Sequence, residues 1–176
     1  MKSVIVMTMK KVIIVGSPGS GKSTFAAKLH DKTGLPLIHL DFYYHQMKYS
    51  YYNDRAAWVA RVLLLMETDK WIMDGNYKST ILMRCETADT IILFDLPRWL
   101  CVYRVLTRRF HYRNKQRPDM PKEWSEKLTY EFIRYVWKFS KEQIPTVLEG
   151  IAANTDKQIL IFHKQADVDA YLVKFE

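Results

Sequence analysis

Eight consecutive residues carry the clearest chemistry in this chain. They run Gly16-Ser17-Pro18-Gly19-Ser20-Gly21-Lys22-Ser23 and match the phosphate-binding pattern G-x-x-x-x-G-K-[ST]. The pattern directly follows the apolar run 12–15, so it stands between a predicted buried strand and a predicted helix. A glycine turn with a serine helix cap also fits the first six residues. It does not account for Lys22 and Ser23 at this spacing, so we favour nucleotide binding.

Each residue type in the motif has a physical role in holding a nucleotide. Glycines let the backbone bend so that several N–H groups point inward at the α- and β-phosphates, next to a helix N-terminus. Lys22 should reach the β- and γ-phosphates, and the hydroxyl of Ser23 should bind Mg²⁺. The predicted nucleotide-binding residues are Gly16, Ser17, Gly19, Ser20, Gly21, Lys22, Ser23 and Thr24.

Apolar segments at regular intervals predict the sheet that positions this loop. We expect strands at 12–15, 35–40, 70–74, 90–95 and 158–162, with helical patterns between them. Alternation of strands and helices argues for a parallel sheet that helices cover on both faces. The prediction is an α/β protein of three layers, α/β/α, with five parallel strands in one domain, residues 1–176. Residues 1–8 are either an extension outside that domain or a short extra edge strand.

Three predicted strands end at an aspartate, Asp41, Asp74 and Asp95, and for Asp95 we expect only a helix-capping role because Pro97 opens the next helix. Asp41 and Asp74 are the two considered for chemistry. Open parallel sheets bind ligands beyond the carboxyl ends of their strands, so both carboxylates are placed for chemistry. We expect Asp74 to bind Mg²⁺ through water, with a role as helix N-cap as the alternative. Asp41 is the candidate that orients or deprotonates an acceptor hydroxyl. If the acceptor is itself a phosphate, Asp41 becomes a binding group or a ligand of metal-bound water.

The segment Phe42–Tyr52 contains six aromatic rings in eleven residues and shows neither a helical nor a strand period. Core packing from a loop is one interpretation. The other is a wall that binds the acceptor by stacking and hydrogen bonding.

Most of the net charge of +8 lies in one segment. Between residues 98 and 122 there are eight basic residues and one acid. The part after the fourth strand and its helix, residues 108–122, is predicted to be a lid over the phosphates, and residues 110–122 are predicted to be poorly ordered without ligand. The candidates for contact with the transferred phosphate are Arg108, Arg109, Arg113 and Arg117.

Several segments together resemble a known family. GSPGSGKST, LIHLD, WIMDGNY, ADTIILFDLPRWL and the basic RRFHYRNKQRPD are similar to the adenylate-kinase-like P-loop kinases. Within that group they resemble the bacterial topology modulation proteins (FlaR-like), over about Lys10 to Phe139. The resemblance implies a P-loop NTPase fold, ATP with Mg²⁺, and transfer of the γ-phosphoryl group to a small acceptor such as a nucleoside, a nucleotide or another metabolite.

One family motif departs from its pattern. Asp74-Gly75 matches the start of the kinases' D-G-F-P-R, but the chain continues Asn76-Tyr77-Lys78. The arginine that grips an acceptor phosphate is therefore missing. Lys78, Arg84 and Arg55 are the candidates to replace it.

The composition limits the remaining function classes. No apolar run approaches the roughly 20 residues of a membrane span, and the apolar stretch near the N-terminus is shorter than that of a secretory signal. The two cysteines, Cys85 and Cys101, have no metal-ligand spacing, which fits packing as small apolar residues in a reducing cytoplasm. We expect a monomer or a homodimer.

Two alternatives to a kinase remain at this stage. One is nucleic-acid binding through the basic segment and its rings, Trp99, Tyr103, Phe110 and Tyr112, although no known nucleic-acid motif is present. The other is an ATP-dependent switch or a slow ATPase without a small acceptor.

Overall fold

A computed structural model of the chain describes residues 9–47, 54–111 and 128–173. In these ranges five parallel strands form one sheet in the order β2-β3-β1-β4-β5. The strands are β1 (Lys11–Gly16), β2 (Leu37–His39), β3 (Trp71–Asp74), β4 (Thr90–Phe94) and β5 (Gln158–Phe162). The central strand, β1, is the one that leads into the phosphate-binding motif, so the motif starts at the middle of the sheet edge.

Helices connect the strands and cover the sheet. They are α1 (Lys22–Thr33), α2 (Leu40–Gln46), α3 (Arg55–Met66), α4 (Ile81–Thr87), α5 (Arg98–His111), α6 (Tyr130–Glu142), α7 (Ile144–Ala152) and α8 (Gln165–Val173). Asp54 caps α3 by accepting the Ala57 N–H at 3.0 Å. In the described ranges no helix combines the length and the apolar character that a membrane crossing requires.

Side chains of β1 alternate between two hydrophobic cores, one on each face of the sheet. Val12 and Ile14 lie in the first core with Phe25 of α1, whereas Ile13 and Val15 lie in the second. The second core also contains Trp58 of α3. All four β1 side chains are fully buried because strands flank β1 on both sides and helices cover both faces. The predicted three-layer α/β/α arrangement with five parallel strands is confirmed.

The second strand differs from its prediction. The sequence pattern predicts a strand over 35–40, but β2 covers only Leu37–His39, and Leu40 and Asp41 begin α2. β2 pairs with β3 alone, and the pairing ends where His39 lies opposite Asp74, the last residue of β3. Beyond that point β2 has no partner strand, so the chain turns into a helix.

The aromatic segment is partly helical, which corrects the expectation that it lacks regular structure. Its first residues belong to α2, which ends at Gln46, while 48–53 lie outside the described residues. The ring of Tyr44 packs on Trp58 at 5.0 Å and on Tyr77 at 4.8 Å between ring centroids. These tertiary contacts stabilise a short helix that has no amphipathic period of its own.

Some predicted features cannot be placed. The extension 1–8 and most of the lid, residues 112–122, lie outside the described residues. The described part of the predicted lid, 108–111, is the last turn of α5.

Candidate nucleotide and acceptor site

The phosphate-binding motif forms the turn between β1 and α1, at the carboxyl edge of the sheet. Glycine is needed at its first position because Gly16 has φ +154°, and a Cβ there would lie 2.6 Å from the Phe94 carbonyl oxygen. At Gly19 a Cβ would overlap the Cys101 carbonyl oxygen. The backbone of the loop therefore packs directly against β4 and α5. The predicted residues from Gly16 to Thr24 lie together in this loop and in the first turn of α1.

Polar side chains of the loop are buried, and one has unmet hydrogen-bonding capacity. Ser17, Ser20 and Lys22 are each at most 9% exposed. The Ser20 hydroxyl has no hydrogen-bond partner in the described part of the chain. Buried polar groups are normally paired, so an unpaired hydroxyl beside a buried lysine fits a loop built around an anionic ligand.

Asp74 is a buried carboxylate next to this loop. Its Oδ2 lies 3.0 Å from Nδ1 of His39, which the strand register places directly opposite on β2. Burial raises the pKa of Asp74, but the hydrogen bond with His39, the charge of Lys22 and a hydrogen bond with Ser23 outweigh it and hold the pKa below its ordinary value. The carboxylate is therefore ionised at neutral pH.

Ser23 and Asp74 fit the requirements of a magnesium site. A hydroxyl and a carboxylate supply the oxygen ligands that Mg²⁺ prefers. Oδ1 of Asp74 is buried and has no hydrogen-bond partner among the described residues. The N-cap alternative for Asp74 is wrong, because the next helical turn starts at Lys78 and follows Tyr77. His39, the partner of Asp74, was not predicted as a site residue; its position two residues before Asp41 was the only signal.

The loop after β3 joins the phosphate loop to the rest of the site. Asn76 Oδ1 accepts the Gly16 N–H at 3.0 Å, and the Gly75 N–H donates to the Ile14 carbonyl at 3.2 Å. The next residue, Tyr77, donates its hydroxyl to Asp41 Oδ1 at 2.9 Å. Tyr77 adopts the left-handed conformation, with φ +30°, and its ring packs on Trp58 at 4.6 Å. Asn76 and Tyr77 are consecutive in the chain, and thus one contacts the phosphate loop while the other contacts Asp41.

Arg84 of α4 supports the loop after β3 through hydrogen bonds from its side chain. The side chain is fully buried, and its guanidinium donates to the backbone carbonyls of Gly75, at 2.8 Å, and Asn76. Burial lowers the pKa of Arg84 to about 10, so it remains charged at neutral pH. The candidate role of Arg84 as a substitute for the missing acceptor-binding arginine is wrong, because its donors face the loop backbone and not open space. Lys78 and Arg55 stay candidates.

Asp41 lies in the first turn of α2 and not at a strand end, which corrects its predicted position. Tyr135 of α6 approaches the same region. Burial and the nearby charge of Asp41 raise the pKa of Tyr135 to about 12, although a hydrogen bond with Asn76 opposes the shift. Three elements, α2, the loop after β3 and α6, therefore bring together a carboxylate, an amide and a neutral phenol.

Arg104 is the arginine of α5 that the structure brings to the phosphate loop. Its Nη1 lies 3.4 Å from the Ser20 carbonyl oxygen, and its Nη2 donates to Gln165 Oε1 at 2.8 Å. Arg108 follows one turn later on the same side of α5, whereas Arg109 is about 140° around the helix from Arg104. Arg113 and Arg117 lie outside the described residues.

A cavity of about 280 Å³ lies beside the phosphate loop. Its polar lining includes Thr24, Lys28, Arg104, Gln165 and Asp169. Gln165 and Asp169 belong to α8, and the Gln165 amide donates to Asp169 at 2.9 Å. The sequence carries no signal for the two α8 residues, because only the packing of the last helix places them near a loop about 145 positions earlier.

The fold has close counterparts among solved structures. No protein-family model and no curated protein matches the sequence. A shikimate kinase from Acinetobacter baumannii, in complex with shikimate, matches with a TM-score of 0.64 at 14% identity over 95% of this chain and 90% of that chain. A shikimate kinase from Bacteroides thetaiotaomicron gives 0.52 at 14% identity over 94% and 95%. A deoxyadenosine kinase from M. mycoides with bound dATP gives 0.53 at 15% identity over 93% and 97%.

Proposed function

We propose that this protein, which has the P-loop kinase fold, is an ATP-dependent phosphotransferase acting on a small hydroxyl-bearing acceptor. The observation that carries the proposal is the loop Asn76-Tyr77. Asn76 bonds the phosphate loop at Gly16, and Tyr77 bonds the carboxylate of Asp41. This loop therefore fixes the position of Asp41, which would orient the acceptor, relative to the phosphate loop, which would hold the donor. A nucleotide switch needs the phosphate loop but not this second carboxylate.

The donor half of the site binds ATP through residues 16–24. Backbone N–H groups and Lys22 bind the phosphates, and the cavity lined by Lys28, Arg104 and Gln165 takes the rest of the nucleotide. Ser23 would bind Mg²⁺ directly, and Asp74 would bind it through water. The ion would neutralise charge on the β- and γ-phosphates. Lys22 stabilises the charge that builds on the transferred group.

The acceptor half of the site is formed around Asp41. Tyr77 fixes one oxygen of the Asp41 carboxylate, so the other can accept the proton of an acceptor hydroxyl. The acceptor oxygen then forms the new bond to the γ-phosphorus while the bond to the β-phosphate oxygen breaks and ADP leaves. The basic segment 108–122, with Arg108, Arg109, Arg113 and Arg117, is proposed as the lid that excludes water during transfer.

A screen of acceptors tests this function. Nucleosides, nucleoside monophosphates and small polyols are added to the protein with ATP–Mg²⁺, and acceptor-dependent ADP release is measured. At least one class should stimulate it, and Asp41→Asn should reduce the stimulated rate about 10²- to 10⁴-fold while ATP still raises the melting temperature. Asp31→Asn, an exposed acid on α1, is the matched control. If no class stimulates ADP release, a switch or a slow ATPase replaces the kinase.

Lys22→Ala tests nucleotide binding by a measurement that does not depend on catalysis. In the wild type, ATP at about 100 times its dissociation constant should add about 2.7 kcal/mol of stability. The variant should lose this stabilisation. If ATP stabilises Lys22→Ala as much as the wild type, the phosphate loop does not bind ATP.

Finer assignments belong to the same proposal. Similar segments support membership of the FlaR-like topology modulation subgroup. Both cysteines, Cys85 and Cys101, are free and buried, which supports a reducing, cytoplasmic location. Both cores share β1, which supports one domain over residues 1–176, and we propose a monomer or a homodimer.

A further inference from the structure

Five exposed aromatic side chains lie on α5 and α6. Trp99, Tyr103 and Phe110 are on α5, and Tyr130 and Trp137 are on α6; the other large apolar side chains exposed in the described ranges are aliphatic. Trp99 is 63% exposed and Tyr130 is 73% exposed. Clustered exposed rings of this size mark contact surfaces. The proposed transfer reaction uses none of them.

On α6 the exposed rings alternate with cations. Tyr130, Arg134, Trp137 and Lys141 are all exposed and follow each other at spacings of four, three and four residues. This spacing places them within about 60° of the helix surface along about 16 Å of its length. The result is a straight stripe of ring, cation, ring and cation.

A second stripe of exposed rings lies on α5, the helix that packs against α6. Trp99, Tyr103 and Phe110 fall within about 40° of each other on α5. The Arg98 guanidinium lies 4.8 Å from the centroid of the Trp137 ring, so the start of α5 contacts the stripe on α6. We call the surface formed by Arg98, Trp99, Tyr103, Tyr130, Arg134, Trp137 and Lys141 the α5–α6 face.

The residues of this face include three cations and no acid; Asp95 is the acid that lines a cavity together with Arg98 and Lys141. α5 contains no acid. The two acids of α6 lie off the stripe, and one of them, Glu142, pairs with Lys138 at 3.3 Å. Arg134 and Lys141 make no ion pair with another described residue. The face therefore fits a partner that is negatively charged and offers planar groups for stacking.

We propose that the α5–α6 face binds single-stranded nucleic acid. Unpaired bases stack on the aromatic rings, and the backbone phosphates pair with Arg134 and Lys141. A second copy of this chain fits less well, since a two-fold contact on this face would bury the cations of both copies, and the face contains no acid to pair with them. A duplex also fits less well, because its bases are already stacked on each other. The inference does not rest on the proposed phosphotransferase activity.

Fluorescence anisotropy with a labelled single-stranded oligonucleotide of about 15 bases tests the proposal. We expect binding that weakens as salt rises. Trp137→Ala and Tyr130→Ala should each weaken it about tenfold through the loss of one stacked base. Arg134→Gln should reduce the slope of log affinity against log salt by about 0.7. Leu148→Ala, an exposed apolar control on α7, and Lys22→Ala should bind like the wild type.

Four results would overturn the proposal. The first is duplex of the same sequence binding as tightly as the single strand. The second is unchanged affinity in both ring variants, when their melting temperatures show that they are folded. The third is binding to phosphatidylserine vesicles that Trp137→Ala abolishes, without binding to the oligonucleotide. The fourth is a wild-type oligomer that Trp137→Ala dissociates in sedimentation.

Discussion

The buried guanidinium of Arg84 offers the sharpest test of how this site is held together. Replacing Arg84 with Met keeps an unbranched side chain of similar reach but removes the donors to the Gly75 and Asn76 carbonyls. A buried acceptor left without a donor costs about 1–3 kcal/mol, so two such acceptors cost about 2–6 kcal/mol. Burying the charge has a cost of its own, which the lowered pKa of Arg84 reflects and which the substitution relieves.

We therefore expect a loss near the lower end of this range, about 2 kcal/mol, which for a chain of this length lowers the melting temperature by about 4–8 °C. Urea unfolding of Arg84→Met measures it. Arg84→Lys, which retains one donor to the loop, should lose about half as much. Glu86→Gln, an exposed change on the same helix, should stay within about 0.5 kcal/mol of the wild type.

The same substitution should affect the phosphate loop, because Asn76 bonds Gly16. The melting-temperature shift on adding ATP should become smaller in Arg84→Met than in Arg84→Lys. If Arg84→Met unfolds at the urea concentration of the wild type with the same slope, the two hydrogen bonds do not stabilise the loop. The reasoning on Arg84 would then be refuted, whatever the protein's activity.

Two further changes probe the same edge of the sheet. Asp74→Asn should be less stable than the wild type at neutral pH, because a carboxyl group whose pKa is lowered by folding stabilises the folded state until the pH falls through that pKa. Urea unfolding at a series of pH values should show the difference in unfolding free energy between variant and wild type becoming smaller below the ordinary Asp pKa of 3.8. A difference that stays constant with pH would contradict this. Gly16→Ala should lower the free energy of unfolding by about 1–3 kcal/mol, because the added Cβ overlaps Phe94. The loss should exceed that of Gly34→Ala, where a Cβ meets no atom within 4 Å. Equal losses of the two variants in thermal unfolding would show that close packing at Gly16 is unimportant.

The strands and most helices were predictable because their signals are local. The run at β1 is continuous and apolar, and β5 has the predicted bounds, Gln158–Phe162. α2 was missed because it is seven residues long and depends on contacts of Tyr44 with rings from α3 and from the loop after β3. β2 was predicted too long because an apolar run does not reveal where its partner strand ends.

Site residues divide in the same way. The sequence predicted Lys22, Ser23, Asp74 and Asp41 as a set, and the structure places Asp74 against His39 and Asp41 against Tyr77. The partners of these residues, His39 and Tyr77, were not predicted as such, because each comes from a different element than the residue it contacts. Arg84 was named for the wrong role, since spacing along the chain does not show which way a guanidinium points.

The sequence by itself determined the parts of this protein whose physics is local. A glycine-rich turn followed by Lys22-Ser23 between a buried strand and a helix requires no distant residue to be recognised. Only the tertiary structure decided what surrounds that turn. Arg104 and Asn76 bond it from parts of the chain far from it, and Gln165 and Arg84 in turn bond Arg104 and the Asn76 loop. Arg98 of α5 meets Trp137 of α6 only because these two helices pack side by side. Such arrangements depend on which faces of the helices and strands are buried against one another, and the order of residues along the chain does not specify those faces.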